Sequence, residues 1–238
     1  MRYLAILGIA GLVFASTSAM AINIPNETPH AAELSVWEIY NDLYGTAYTS
    51  NVDLDVMRIV DLQTFMIPLG QDLVVEAEAR YAYVVSEFGY YTPAGAPTNT
   101  NYQGIFSVNQ VGDVSGLGYT QVLNITDEFG FYLDPAGEGA VWHSEQALNW
   151  LGDDHMVAYG VDANTILLCW EDLPLPSEGE NNFLAAASQM RPADPRYDGD
   201  YNDLVVEIRF REIVPEPATM ILFGLGIAGV ALRRFLVA

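Results

Sequence analysis

Six oxygen-bearing side chains fall in two short stretches of the sequence. Glu171 and Asp172 follow the apolar run Thr165–Trp170, and Asp198, Asp200, Asn202 and Asp203 precede a second apolar run at 204–210. Carboxylates crowded in this way repel one another unless they are solvated, protonated or neutralised by a hard cation. Calcium takes six to eight oxygen ligands of these types. The chemistry indicated is therefore a calcium site with Glu171, Asp172, Asp198, Asp200, Asn202 and Asp203 as its ligands. The competing reading is a solvated turn in which Asp and Asn side chains bond nearby backbone amides.

The spacing does not fit a twelve-residue EF-hand loop. With Asp198 in first place, Asp200 and Asn202 fall correctly at third and fifth, but Asp203 stands where glycine is needed and Arg209 where a bidentate glutamate is needed. A site here must therefore draw ligands from both stretches, and each adjoins a strand. In 204–210, Leu204, Val206, Ile208 and Phe210 alternate with Val205, Glu207 and Arg209, so one apolar face can pack into a core and fix the base of the acidic loop.

Further strands are predicted at 73–85 (one long strand or a pair, with Val74, Glu76, Glu78 and Arg80 on the exposed side), 104–108, 119–125, 129–133, 156–159 and 165–170. Turn signals separate them, among them Thr92-Pro93-Ala94-Gly95 and Asp134-Pro135-Ala136-Gly137. This pattern predicts a mainly β domain, an antiparallel β-sandwich or jelly roll. Leu34, Trp37, Tyr40, Leu43 and Tyr44 recur at helical spacing before Gly45, which predicts one amphipathic helix at 31–44 covering an end or open edge of the domain.

Other reactive groups carry less. Asp153, Asp154 and His155, with His143, match no compact zinc spacing, and Gly152-Asp153-Asp154 reads as the turn before a strand. Cys169 lies in an apolar run and reads as a buried, inert thiol. No serine elbow, phosphate loop or dinucleotide fingerprint is present, and no carboxylate pair is singled out by spacing, so catalysis is not expected and a secreted glycoside hydrolase is only an alternative. Tyr90, Tyr91, Tyr102 and Tyr119 lie near turns and would be the sugar contacts of a carbohydrate-binding module, the other alternative.

The two ends of the chain specify a route. Arg2, an apolar run to Phe14 and the A-x-A pattern at Ala19-Met20-Ala21 predict a signal peptide over 1–21, cleaved after Ala21 and handled by the Sec export machinery. At the other end Pro215-Glu216-Pro217 leads into sixteen uncharged residues, 217–232, followed by Arg233 and Arg234. As a helix these would span about 24 Å at 1.5 Å per residue, short for a permanent anchor but insertable, with the arginines on the cytoplasmic side. Residues 22–214 are left as one exported domain.

That domain is strongly acidic. The chain has 31 acidic and nine basic residues, and three of the nine lie in the processed ends. Such a charge repels nucleic acid, which is excluded as a partner. A single cysteine rules out an intramolecular disulfide, so stability must come from the core or from bound ions.

The Pro-Glu-Pro turn, apolar run and paired arginines, in that order, resemble the PEP-CTERM sorting signal of bacterial exported proteins. The resemblance implies an exosortase as processing partner, a transient stay in the membrane, and delivery to the cell envelope or to an extracellular matrix rich in exopolysaccharide, as in a biofilm. Trp170-Glu171-Asp172-Leu173 and Asp200-Tyr201-Asn202-Asp203-Leu204-Val205-Val206 resemble a secreted bacterial domain of unknown function often joined to such tails. This second likeness implies a calcium-binding β-sandwich without enzymatic activity. The chain departs from that family's pattern in a long insertion over 174–196, where a short glycine- and aspartate-rich link is expected.

Overall fold

The computed structural model describes residues 33–82, 85–98, 100–108, 114–135, 141–149, 152–172 and 200–213. The signal peptide with Ala19 and Ala21, the insertion 174–196, Asp198, and the sorting segment with Pro215, Glu216, Pro217, Arg233 and Arg234 lie outside the described residues, and so do the apolar stretches expected as targeting helices at the two ends. Among the described residues no helix is long and apolar enough to cross a membrane.

Among the described residues nine strands form two antiparallel sheets. In chain order they are β1 (Gln71–Arg80), β2 (Ser86–Tyr91), β3 (Tyr102–Val108), β4 (Val114–Leu123), β5 (Gly130–Pro135), β6 (Trp142–His143), β7 (Met156–Gly160), β8 (Thr165–Trp170) and β9 (Leu204–Glu212). One sheet has the order β4-β1-β9-β8-β7 and the other β3-β2-β5-β6. Leu73 and Val75 of β1, Leu168 and Trp170 of β8, and Leu204, Val206 and Ile208 of β9 meet Phe88, Phe131, Leu133 and Trp142 of the smaller sheet in one core. Alternate residues of each strand point to one face, so these strands behave as the alternation predicts and the body is a β-sandwich.

Part of the other face of the five-stranded sheet is apolar as well. Val157, Tyr159, Leu167, Cys169 and Val205 form a second cluster with Val36, Ile39 and Tyr40 of helix α1 (Val36–Tyr44) and Leu54 of helix α2 (Asn51–Leu54). The helix expected over an end or open edge thus lies across a sheet face. The reason is the composition of β7, β8 and the start of β9, which are apolar on both sides and need cover on both. Helix α1 starts at Ser35, whose N–H donates to Glu38 Oε2 at 2.9 Å, and stops at Gly45 in the left-handed region (φ 65°). Tyr40 and Tyr44 then fasten it to the sheet, donating to Gly160 O at 2.9 Å and Glu207 Oε2 at 2.8 Å.

Strand β1 departs from simple alternation. Its register against both β4 and β9 shifts between Ala77 and Ala79, a bulge centred on Glu78. One extra residue exchanges the faces of everything that follows. Arg80, expected on the exposed side, is therefore fully buried, and the strand ends there instead of running to residue 85.

Candidate functional site

Strands β8 and β9 are antiparallel neighbours, and Trp170 stands opposite Leu204. The residues just past the end of one strand therefore lie beside those just before the start of the other. Glu171 and Asp172 meet Asp203 there, and the three carboxylates can bring oxygens within 4.8 Å of one another. Asp172 N–H donates to Asp203 Oδ2 at 2.8 Å, locking the two segments together. Glu171 and Asp172 are buried, and Asp203 is half-buried.

The corner is supported from three sides. His155 and Glu171 exchange backbone and ring bonds: Glu171 N–H donates to His155 O at 3.1 Å, and His155 Nδ1 lies 3.1 Å from Glu171 O. A carbonyl can only accept, so Nδ1 carries the proton. The His155 ring stacks flat on Trp142 at 3.7 Å, and Trp142 Nε1 donates to Asp172 O at 2.8 Å. Burial pushes the His155 imidazole down to about 4, so it is neutral near pH 7. On the third side, Arg80 NH1 donates to Val108 O at 2.6 Å. Burial lowers the Arg80 guanidinium from its ordinary value, while Asp172 and Asp203 pull it back up. Arginine keeps its charge throughout the working range, so Arg80 is a fixed positive charge at this corner.

Of the six residues read from the sequence as one ligand set, the five that are described divide, Asp198 lying outside the described residues. Glu171, Asp172 and Asp203 converge. Asp200 and Asn202 bond each other: Asn202 N–H donates to Asp200 Oδ1 at 3.2 Å, and Asn202 Nδ2 donates to Asp200 Oδ2 at 2.8 Å and to Leu34 O at 3.0 Å. Between them Tyr201 takes a left-handed backbone (φ 61°) and donates its hydroxyl to Asp154 O at 2.7 Å. This pair therefore secures the turn and the approach to α1. Three hard carboxylates beside one guanidinium leave an excess of negative charge among the described residues, and buried charge is tolerated when it is paired or coordinates metal. That chemistry fits a divalent cation held by Glu171, Asp172 and Asp203, with the coordination number completed by other oxygen donors.

The other groups considered have internal roles. Gly152, Asp153 and Asp154 form the turn before β7, with Gly152 in the left-handed region (φ 74°) and Asp154 Oδ1 accepting from Met156 N–H at 3.3 Å. Asn149 Nδ2 donates to the His143 and Asp153 carbonyls at 2.9 Å, which directs its Oδ1 at the His143 ring. His143 Nδ1 is then the donor and Nε2 accepts from the Tyr102 hydroxyl at 2.7 Å. Of the tyrosines with a possible sugar role, Tyr91 is buried and donates to Glu145 at 2.8 Å, Tyr90 packs edge-on against Phe129, and Tyr119 stacks on Phe106. Cys169 is fully buried, and burial raises its thiol well above the ordinary value.

A second acidic group lies on the outer face of the larger sheet. Glu76 stands opposite Glu207, and with Glu78 they bring carboxylate oxygens within 4.8 Å of one another. Arg209 pairs with Glu207, whose other oxygen accepts from Tyr44. Burial first, then Glu76 and Glu207, push Glu78 up to about 7.

Strand β9 joins the two informative parts of the chain. Its first residue adjoins the acidic corner, and Ile213, just past its end, is the last residue before the C-terminal segment. The protein is thus a β-sandwich body leading directly into a C-terminal signal. That signal is a PEP-CTERM protein-sorting motif, matched over residues 214–234. Such a motif marks an exported protein, processed by an exosortase and sent to the cell envelope or extracellular space. No curated protein matches the chain significantly.

Proposed function

We propose that this protein is a non-catalytic component of the cell surface or extracellular matrix, held briefly in the membrane by its C-terminal segment until exosortase removes it. The observation that carries this reading is the position of the sorting motif at 214–234, starting immediately after the last strand of the sandwich. The body then serves as a stable acidic module among extracellular polysaccharides. Calcium held by Glu171, Asp172 and Asp203 stabilises it, which is supported by the convergence of their carboxylates at a buried corner.

Two measurements test the two halves of this reading. In a host with an active exosortase, the full chain should yield a shortened, exported form. Replacing Pro215, Glu216 and Pro217 by alanine should leave the unprocessed chain in the membrane fraction, and equal processing of both chains would refute the sorting half. For the calcium half, the metal-stripped protein should melt higher as calcium is added and less so with magnesium at the same ionic strength. A ligand that binds only the folded state adds about 2.7 kcal/mol at a hundredfold excess over Kd. No saturable calcium effect would remove the ion from the proposal and leave the sorting half standing.

A further inference from the structure

The sorting motif starts at residue 214, and Ile213 is still part of the folded body. Ile213 N–H donates to Gly70 O at 2.9 Å, and Glu212 pairs with Gln71 at the start of β1. Only Val214, Pro215 and Glu216 therefore separate the sandwich from the uncharged run 217–232 read as membrane-inserting. Wherever that segment enters the bilayer, the pole of the sandwich carrying Ile213 and Gly70 arrives with it.

This pole carries protruding aliphatic side chains. Leu69 projects at 106% of its reference exposure, Met66 at 62% and Ile213 at 47%. Val122, on the neighbouring strand β4, is also 47% exposed. The charged groups near it cancel only in part: Arg211 lies 3.7 Å from Asp72, whereas Glu212 beside Ile213, and Glu128, which accepts from Thr64, are exposed acids. A chain with a net charge of −22 is repelled by an anionic surface, so the protruding aliphatic side chains of this pole, carried to the bilayer by the adjoining tail, are suited to uncharged, zwitterionic headgroups.

We infer that the pole formed by Met66, Leu69 and Ile213 is a lipid-contacting surface on which the sandwich stands while its tail is in the membrane. This rests on the reading that residues 214–234 insert. It also fixes the orientation of the body. The nine-residue strand β9 runs from this pole to Asp203, and at about 3.4 Å per residue it separates the acidic corner from the pole by roughly 27 Å along the strand. The corner of Glu171, Asp172 and Asp203 then lies at the end of the body away from the bilayer.

The test uses the full chain in phosphatidylcholine vesicles containing nitroxide-labelled lipid, with an environment-sensitive fluorophore on one introduced cysteine. The native Cys169 is fully buried and does not compete for the label. Leu69→Cys and Met66→Cys report the pole, Phe223→Cys the tail, and Ser107→Cys the opposite pole, because the neighbouring Val108 carbonyl accepts from Arg80. The expected result is at least twofold stronger quenching at positions 69, 66 and 223 than at 107. Quenching at 223 without quenching at 69 or 66 overturns the inference and leaves the inserted tail intact. No quenching at 223 overturns both. Protection of positions 69 and 66 only when exosortase is present would assign the pole to a protein contact and overturn the lipid assignment.

Discussion

Asp172 donates its backbone N–H to the carboxylate of Asp203 at 2.8 Å, although thirty residues separate them in the chain. The bond holds two acidic side chains side by side at the mouth of the β8–β9 pair. It also gives Asp203 two duties, as acceptor and as charge. Asp203→Asn keeps an acceptor and removes the charge, whereas Asp203→Ala removes both. In chelator, the asparagine variant is expected to melt close to the parent and the alanine variant to lose about 1 kcal/mol for the missing bond. In calcium, the alanine variant is expected to lose the ion-dependent rise in melting temperature, and the asparagine variant, which keeps an amide oxygen but no charge, to show a smaller one. A full calcium response in the alanine variant would show that Asp203 is not a ligand.

Arg80 is the fixed cation of the same corner. Arg80→Met keeps most of the side-chain volume but leaves Asp172 and Asp203 without that guanidinium. Removing one partner of a buried ionic group costs about 3–5 kcal/mol, which a urea titration in chelator would show as a lowered midpoint. Arg80→Lys should fall between, since lysine retains the charge but not the planar fork. Calcium supplies positive charge to the same oxygens, so the methionine variant should gain more stability from calcium than the parent. An equal gain in both would separate Arg80 from the ion.

The contrast between these two residues shows what the sequence makes legible. Asp203 was readable because acidic residues gather before an alternating apolar strand, and 204–210 and 165–170 fold as that alternation predicts. Arg80 was not, because a one-residue bulge at Glu78 reverses the face of every later side chain and leaves no mark in the residue types. Strand β2 was hidden for another reason. Its Gly89 has no side chain because the Tyr132 ring lies over it: a Cβ there would come within 2.5 Å of that ring. A glycine among mixed polar and aromatic residues reads as a loop until the ring above it is placed. The convergence of Glu171 with Asp203 likewise depended on which strands pair, a long-range relationship that local pattern does not encode.

His155 gives the fold an acid limb. Its folded value of about 4 lies below the ordinary 6.5, so the unfolded chain binds the proton more readily. The contribution is complete above the unfolded value and is lost as pH falls from 6.5 towards 4, where it amounts to roughly 3 kcal/mol. In chelator, His155→Phe retains a flat ring against Trp142 and removes this titration. Its unfolding free energy should therefore fall less than the parent's between pH 7 and pH 4, although the lost bond to the Glu171 carbonyl lowers it at every pH. Parallel curves for the two proteins would mean that the ring is not held neutral.

Glu78 acts in the opposite direction. Its folded value of about 7 stands above the ordinary 4.5 because the bulge half-buries it beside Glu76 and Glu207. The protonated form is the one the fold favours, so this contribution is present at low pH and is lost as pH rises from 4.5 through 7. Glu78→Gln makes the neutral form permanent. It should leave stability nearly unchanged at pH 4.5 and raise it at pH 8, with the crossover between them. The side chain is partly solvated and its repulsion is screened, so the gain should shrink in high salt. A glutamine variant that is less stable at pH 8 would mean that the Glu78 carboxylate is held by an attraction stronger than the repulsion from its two neighbours. The outer face of β1 and β9 would then be a cation-holding surface in its own right.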